Sequence, residues 1–223
     1  MLQKHHHMNH PETTQWGGRV GRYAETSGAA GRCRDPFAGR PVEFEFAFEY
    51  EAWLLARFSP ATAAITHRRT PVTAVGKTRH LTALATFVVT DRQGRQEYHL
   101  ASRCEQAGAK RLRALRRLAE HTGARIVCTT LKELRNALEL FWRLELLRQA
   151  AAIHEGEGAQ FDSQVLAVAA ARVGRLSGMR ERLPHIQPQL LRARLAHLHC
   201  RGRLQLDFAD DDFGIALREE SLE

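Results

Sequence analysis

After Pro41 the hydrophobic positions first alternate and then cluster. Val42, Phe44, Phe46, Phe48 and Tyr50 recur every second residue, with Glu43, Glu45, Glu49 and Glu51 among the positions between them. That spacing is a strand period. Phe44, Phe48, Ala52, Leu55 and Phe58 also share one helical face. The combined pattern predicts a helix over about 45–58, ended by Ser59-Pro60, because the residue before proline avoids helical geometry. ITHRRTPVTAV and LTALATFVVT then read as two strands with a turn at Gly76-Lys77. DRQG reads as a hairpin turn and RQEYHLAS as the returning strand. A helix over 105–121, a short strand ARIVCTT after Gly123, and one long helix through LKELRNALELFWRLELLRQAA complete this part.

HEGEGAQ, near 154–160, has the composition of a linker. Helical segments follow at about 161–174, 176–183 and 187–200, and then two short strands, RGRLQLDF and DFGIALRE. Three helices and a hairpin in that order suggest a winged helix. The expected organisation is a mixed α/β domain over 41–152 followed by a helical, winged-helix-like domain over 160–223. Residues 1–40 differ from both. WGGRVGRYAETSGAAGRCRDPFAGR holds many Gly and Arg and almost no branched apolar residue, so it reads as a disordered basic arm. His5, His6 and His7 would hold a metal only adventitiously or be a cloning remnant. There is no internal repeat and no glycine-rich phosphate loop.

Composition narrows the class. Hydrophobic residues make up 43% and charged residues 26%, an ordinary globular balance. No apolar run approaches the roughly 18–20 residues of a membrane span, and the N-terminus lacks the apolar core of a signal peptide. Cysteines at 33, 104, 128 and 200 form no CxxC pair, which argues against zinc and for a reducing, cytoplasmic setting. Thirty-three Lys and Arg against 25 Asp and Glu give a formal charge of +8, which points to a polyanion as partner. That charge is concentrated. Arg103, Lys110, Arg111, Arg113, Arg116 and Arg117 meet only Glu105 in their stretch, and Arg111 is expected to share a broad helical face with its basic neighbours.

Four stretches resemble the TnsA family, the endonuclease subunit of heteromeric cut-and-paste transposases. They are EYEAWLLARFSP, GKTRHLTALATFVVTDRQGRQEYHLAS, EHTGARIVCTTLKELRNALELFWRLELLR and HLHCRGRLQLDFADDDFGIAL, in the family's order, and together they cover about residues 43–218. The resemblance implies a restriction-endonuclease-like core. It also implies a Glu on the opening helix, an Asp in Pro-Asp-Phe at the start of the second strand, and Glu or Gln, any residue, then Lys on the third. Carboxylates of that kind hold Mg²⁺ beside the scissile phosphate, and the Lys offsets developing negative charge. Only Glu49 stands at a matching position. Thr86 replaces the Asp, Leu100 the second acid and Ser102 the Lys. Glu97 and His99 imitate an acid-x-base spacing but belong to the opposite strand face from Leu100, and Asp91 lies at the far end of the second strand.

The other candidates carry ordinary readings beside the functional ones. Glu49 also reads as one of several Glu on a solvated helix face. His80 and His99 read as satisfied surface or core histidines rather than metal ligands, and Trp53, Phe58, Phe141 and Trp142 as core anchors. Arg192, Arg194, Arg201 and Arg203 bracket the third helix of the winged-helix segment. There that helix is expected to approach the major groove. Asp210, Asp211 and Asp212 at the wing tip oppose a DNA-facing wing, which makes a protein-facing wing an alternative. The expected function is a TnsA-like subunit with a degenerate nuclease site and no bound cofactor. Its DNA contacts would be Lys110, Arg111, Arg113, Arg116, Arg117, Arg192 and Arg194. Its implied partners are transposon-end DNA, a DDE-type transposase and an AAA+ ATPase, with no membrane. The rival readings are an active Mg²⁺ endonuclease with a rearranged site and a stand-alone winged-helix regulator.

Overall fold

The computed structural model describes residues 31–66, 70–75, 80–171 and 174–218. The arm expected over 1–40 therefore lies outside the described residues up to position 30, and its remainder is not an arm. β1 (Gly31–Asp35) pairs antiparallel with β2 (Arg40–Phe44), with Cys33 and Asp35 buried and Arg32 and Arg34 exposed. The ordering comes from distant partners. Asp35 accepts the amides of Phe37 and Ala38 and the Arg57 guanidinium (3.3 Å). Arg148 reaches the Arg34 carbonyl (3.2 Å) while paired with Glu145 (2.7 Å), which also takes the Tyr50 hydroxyl. Local composition cannot report such contacts.

The strand and helix patterns seen near Pro41 both hold, in succession. Val42 and Phe44 point inward from β2, and α1 (Ala47–Arg57) starts three residues later. A mixed sheet follows, built from β3 (Thr62–Thr66), β6 (Phe87–Asp91), β7 (Gln96–Ser102) and β8 (Arg125–Thr130), in the order β3-β6-β7-β8. Neighbours are antiparallel except β7 and β8, which run parallel and are joined through α2 (Glu105–Thr122). α2 ends at Gly123, whose φ of +71° suits a residue without Cβ. The two expected strands over 65–75 and 81–90 are each divided. β4 (Thr70–Val75) and β5 (His80–Ala85) form a separate ribbon whose inner face, with Val72, Leu81, Ala83 and Ala85, packs on α2. Thr86 marks the break. Its amide donates to the His99 carbonyl (2.8 Å), and its hydroxyl accepts the Ala101 amide (3.0 Å).

The long helix expected after β8 is also divided, at Ala137, into α3 (Leu131–Asn136) and α4 (Leu138–Ile153). Thr130 and Glu133 form a capping box at the start of α3. Beyond a short 3-10 turn (Ala159–Phe161) come α5 (Asp162–Ala170), α6 (Leu176–Arg182), α7 (Pro188–Cys200) and the hairpin of β9 (Leu204–Asp207) and β10 (Gly214–Leu217). The three helices and hairpin match the order read from the sequence.

The two parts do not keep separate cores. Trp53, Phe58, Phe87 and Leu144 belong to the same buried cluster as Leu191, Leu195, Leu198 and Leu204. α7 packs along α4, and Arg92 of the β6–β7 turn donates to the carbonyls of Cys200 (2.8 Å) and Arg201 (3.1 Å) at the end of α7. A cation there is favoured by the partial negative charge of a helix C-terminus. Trp53, Phe58 and Phe141 are buried, as core anchors must be, whereas Trp142 is exposed on α4. No described helix is long and apolar enough to cross a membrane.

Candidate nucleic-acid interface

The positions implied to be catalytic are sealed rather than gathered in a cleft. The sheet has two covered faces. Phe87, Val89 and Ala101 join the cluster that holds Trp53 and Leu54 of α1, whereas Val88, Tyr98 and Leu100 join Leu115 and Leu118 of α2. Leu100 is 1% exposed. Ser102 is buried, donates to the Cys104 carbonyl (2.8 Å), and lies against Gly108 so closely that a Cβ there would stand 3.0 Å from its Oγ. Thr86 is buried beside them and accepts a long hydrogen bond from Arg111 (3.4 Å). These three therefore meet at the N-terminal end of α2. Glu49 belongs to α1, whose packing is with the opposite face of the sheet.

Glu49 is not on a solvated face. It is 3% exposed, and its Oε2 accepts the Glu45 amide (3.0 Å), closing the first turn of α1. Glu51 is buried as well, and one of its carboxylate oxygens has no hydrogen-bond partner. Burial pushes its pKa up to about 7 against the opposing pull of Arg135. Sequence reading missed Glu51 because alternation with Phe and Tyr made its whole stretch look amphipathic.

Glu97 and His99 do share the face away from Leu100, as their spacing implies. His99 stacks on Phe87 (4.7 Å between ring centroids) and meets Glu97 at 3.2 Å, and Glu97 also takes Arg125 (3.3 Å). Burial lowers the pKa of His99, opposed by Glu97. Asp91 is spent on its hairpin, accepting the amides of Gln93 (2.9 Å) and Arg95 (2.8 Å) and the Arg95 side chain (2.7 Å). Among the described residues no three His, Cys, Asp or Glu side chains are grouped to hold a metal ion.

The basic residues divide by environment. Lys110, Arg113, Arg116 and Arg117 are exposed along α2, and none enters an ion pair among the described residues. Arg111 leaves their face. It lies one turn from Gly108 and Leu115 on the inward side of α2, half-buried, and reaches Thr86. Arg194 is also misassigned as a DNA contact. Its side chain is 3% exposed and forks onto Asp162 with bonds of 2.8 and 2.7 Å. Beyond its exposed first turn α7 offers no free face to a groove of DNA, because Leu191 and every residue from Ala193 to His199 are buried. Of the arginines that bracket α7, Arg192 is half-buried, and Arg201 and Arg203, beyond its end, are exposed. The wing acids pair with the chain's own groups, although Asp211 is largely exposed and Asp210 half so. Asp211 pairs with Arg143 (3.0 Å), Asp210 with Arg175 (2.8 Å), and Asp212 takes the Ser177 amide (2.6 Å) and hydroxyl (2.8 Å).

What this arrangement can do chemically is hold phosphate. Four exposed cations along one helix form a stripe that a polyanion can follow, and the only acids on α2 are Glu105 and Glu120. No protein-family model matches the chain, and no characterised protein matches it in sequence.

Proposed function

We propose that this protein is a non-cleaving, TnsA-like DNA-binding subunit of a heteromeric transposition complex. Its core is read as restriction-endonuclease-like. The element order supports that reading: an opening helix, three antiparallel strands, a helix and a parallel fourth strand. In this frame Thr86 opens the second strand of the sheet, and Leu100 and Ser102 end the third. The observation that carries the function is the stripe of Lys110, Arg113, Arg116 and Arg117, exposed and, among the described residues, without carboxylate partners on the helix that seals those positions. The scaffold keeps phosphate-holding groups where the groups for cutting are replaced by a hydroxyl, an isobutyl and a second hydroxyl. A DDE-type transposase and an AAA+ ATPase are the protein partners this reading requires, with transposon-end DNA between them.

Fluorescence anisotropy with a labelled duplex tests it. The wild-type chain is expected to bind with an affinity that falls steeply with salt, with a log–log slope of about −3 to −4 if the four cations each meet a phosphate. Lys110→Glu combined with Arg113→Glu, Arg116→Glu and Arg117→Glu should remove most of that binding. Unchanged affinity in that variant overturns the reading. Supercoiled plasmid with Mg²⁺ or Mn²⁺ supplies the second arm, since nicking that disappears in Glu97→Gln would show an active, rearranged site instead.

A further inference from the structure

The sheet ends differently on its two sides. β3, at one edge, is irregular: its register with β6 shifts between Thr62 and Ala64, and Arg40 caps the Ile65 carbonyl (2.9 Å). Bulges and covering groups of that kind keep an edge from pairing. Among the described residues β8, at the other edge, has neither, and its only ladder partner is β7. Its six residues, Arg-Ile-Val-Cys-Thr-Thr, include no proline, glycine or lysine, and none of them is buried. Two hydrogen bonds fix which of its main-chain groups look outward. Ala101 of β7 turns its amide to Thr86, just before β6 (3.0 Å), so its neighbour Leu100 turns toward β8. Thr130 gives its amide to Glu133 (2.6 Å) rather than to β7. Successive residues of a strand turn their N–H and C=O to opposite sides. Ile126 and Cys128 therefore face outward with Thr130, while Arg125, Val127 and Thr129 serve β7.

These outward groups are symmetric about Val127. Turned around a two-fold axis there, Ile126 of one copy faces Cys128 of another. Each such pair exchanges two N–H to C=O bonds and leaves the Thr130 cap undisturbed. A strand laid antiparallel to itself also brings its start beside its partner's end. Arg125, whose side chain is 77% exposed, then approaches the Glu133 carboxylate that caps α3 of the other copy, so that cation meets anion twice. We infer that the protein forms a two-fold dimer through β8, which joins two four-stranded sheets into one of eight strands. An unrelated strand would supply the backbone bonds but not this reciprocal pattern of charge, which is why the partner is a second copy. The axis of such a pair stands perpendicular to the sheet, so the two α2 helices stay on one face and their cationic stripes look the same way. Only that last consequence rests on the DNA-binding reading given above; the dimer itself needs no DNA.

Sedimentation equilibrium of the full-length chain without DNA provides the test. The expected result is a reversible dimer with a dissociation constant of about 1–100 μM, because one short ladder makes a small interface. A wild type that stays monomeric up to about 200 μM overturns the inference. Cys128→Pro removes an outward amide that β7 does not use, so the fold should stand and the dimer be lost. Arg125→Glu sets a like charge toward Glu133 and should weaken the dimer about tenfold, which keeps the test open if the proline variant fails to fold. An unchanged dimer in either folded variant overturns the β8 interface. Val127→Cys, in a background of Cys104→Ser and Cys128→Ser, sets one thiol from each copy at the axis. Facing Cα atoms there stand about 4.5 Å apart, within disulfide reach. Oxidation should link this variant into a dimer, whereas Arg125→Cys in the same background should stay monomeric because no second thiol faces it. Equal linking of the two, or none in Val127→Cys, also overturns the inference. Anisotropy with a labelled duplex separates the two readings. A wild type that binds DNA but never dimerises defeats only this inference, and a dimer without DNA affinity defeats only the DNA-binding reading.

Discussion

His199 donates through Nε2 to the main-chain carbonyl of Phe58 at 2.8 Å, across 141 residues of sequence. Its Nδ1 accepts the Leu206 amide at 3.1 Å. The ring is therefore held neutral in one tautomer, joining the end of α1 to α7 and β9. Protonation would make Nδ1 a donor facing the Leu206 amide, itself a donor, and so break that hydrogen bond.

Acid lability follows from the sign of the shifts. Burial lowers the pKa of His199 and of His99, and brings His197 down to about 4, with Arg194 and Arg201 adding to the effect there. Groups whose folded pKa is depressed favour the unfolded state once the unfolded chain takes up protons. Stability should hold above pH 6.5 and fall as the pH drops from there toward 4. Urea unfolding across that range measures it. His199→Gln should cost about 1–3 kcal/mol at pH 7.5 and flatten the pH dependence; an equal loss at every pH would count against this account.

Glu51 acts in the opposite sense. Its folded pKa lies near 7, above the ordinary 4.5, so its contribution is fully present at low pH and is lost as the pH rises through 7. Glu51→Gln should then be more stable than wild type at pH 8, by up to about 3 kcal/mol, and match it near pH 4.5. Thermal melts of both proteins at the two pH values decide the matter. A difference that does not change with pH would show that the carboxyl is not buried in its neutral form.

Arg194 and the α2 cations should separate cleanly. Breaking the buried pair with Asp162 by Arg194→Gln is expected to cost about 3 kcal/mol while leaving the DNA affinity of the folded protein unchanged. Charge changes at Lys110, Arg113, Arg116 and Arg117 should alter stability by no more than about 0.5 kcal/mol each. Chemical denaturation paired with anisotropy reads both. Reduced affinity in folded Arg194→Gln would return α7 to the interface.

Gly202 carries two constraints at once. Its φ is +75°, and a Cβ there would stand 2.5 Å from the guanidinium carbon of Arg92. Gly202→Ala should lose about 2–4 kcal/mol, from backbone strain and from displacing Arg92 off the carbonyls of Cys200 and Arg201. Arg92→Ala removes the second part, so the double variant should be less damaged than the two losses added. Strict additivity in a double-mutant cycle would mean that the two residues do not meet.

Periodicity made α2, β7, α6 and the last hairpin legible, because each is set by neighbours within a few residues. The breaks at Thr86 and Ala137 were not, since the residues around them are as apolar as an uninterrupted strand or helix would require. Thr86 is held by Ala101 and His99, on a strand that begins ten residues later. β1 was hidden in the same way, its order depending on Arg57 and Arg148. For the candidate site, the exposed cations of α2 were readable from charge alone. Arg111 and Arg194 were not, because an arginine's type says nothing about whether Thr86 or Asp162 waits for it in space. α7 shows the effect most strongly. Arg194, His197 and His199 give it a polar appearance, yet all three are buried.

The contribution of α7 to the core that Trp53 and Phe58 begin has a consequence in time. Some 141 residues separate Phe58 from His199. At synthesis rates of about 5–20 residues per second, that interval lasts roughly 7–28 s. Throughout it the carbonyl and ring of Phe58 wait for His199, and once α4 is made its face toward α7 stays open until Leu191, Leu195 and Leu198 follow. The nascent chain thus carries unburied apolar surface until α7 emerges, and shielding of that surface by a chaperone or by a partner subunit would matter most before α7 has left the ribosome.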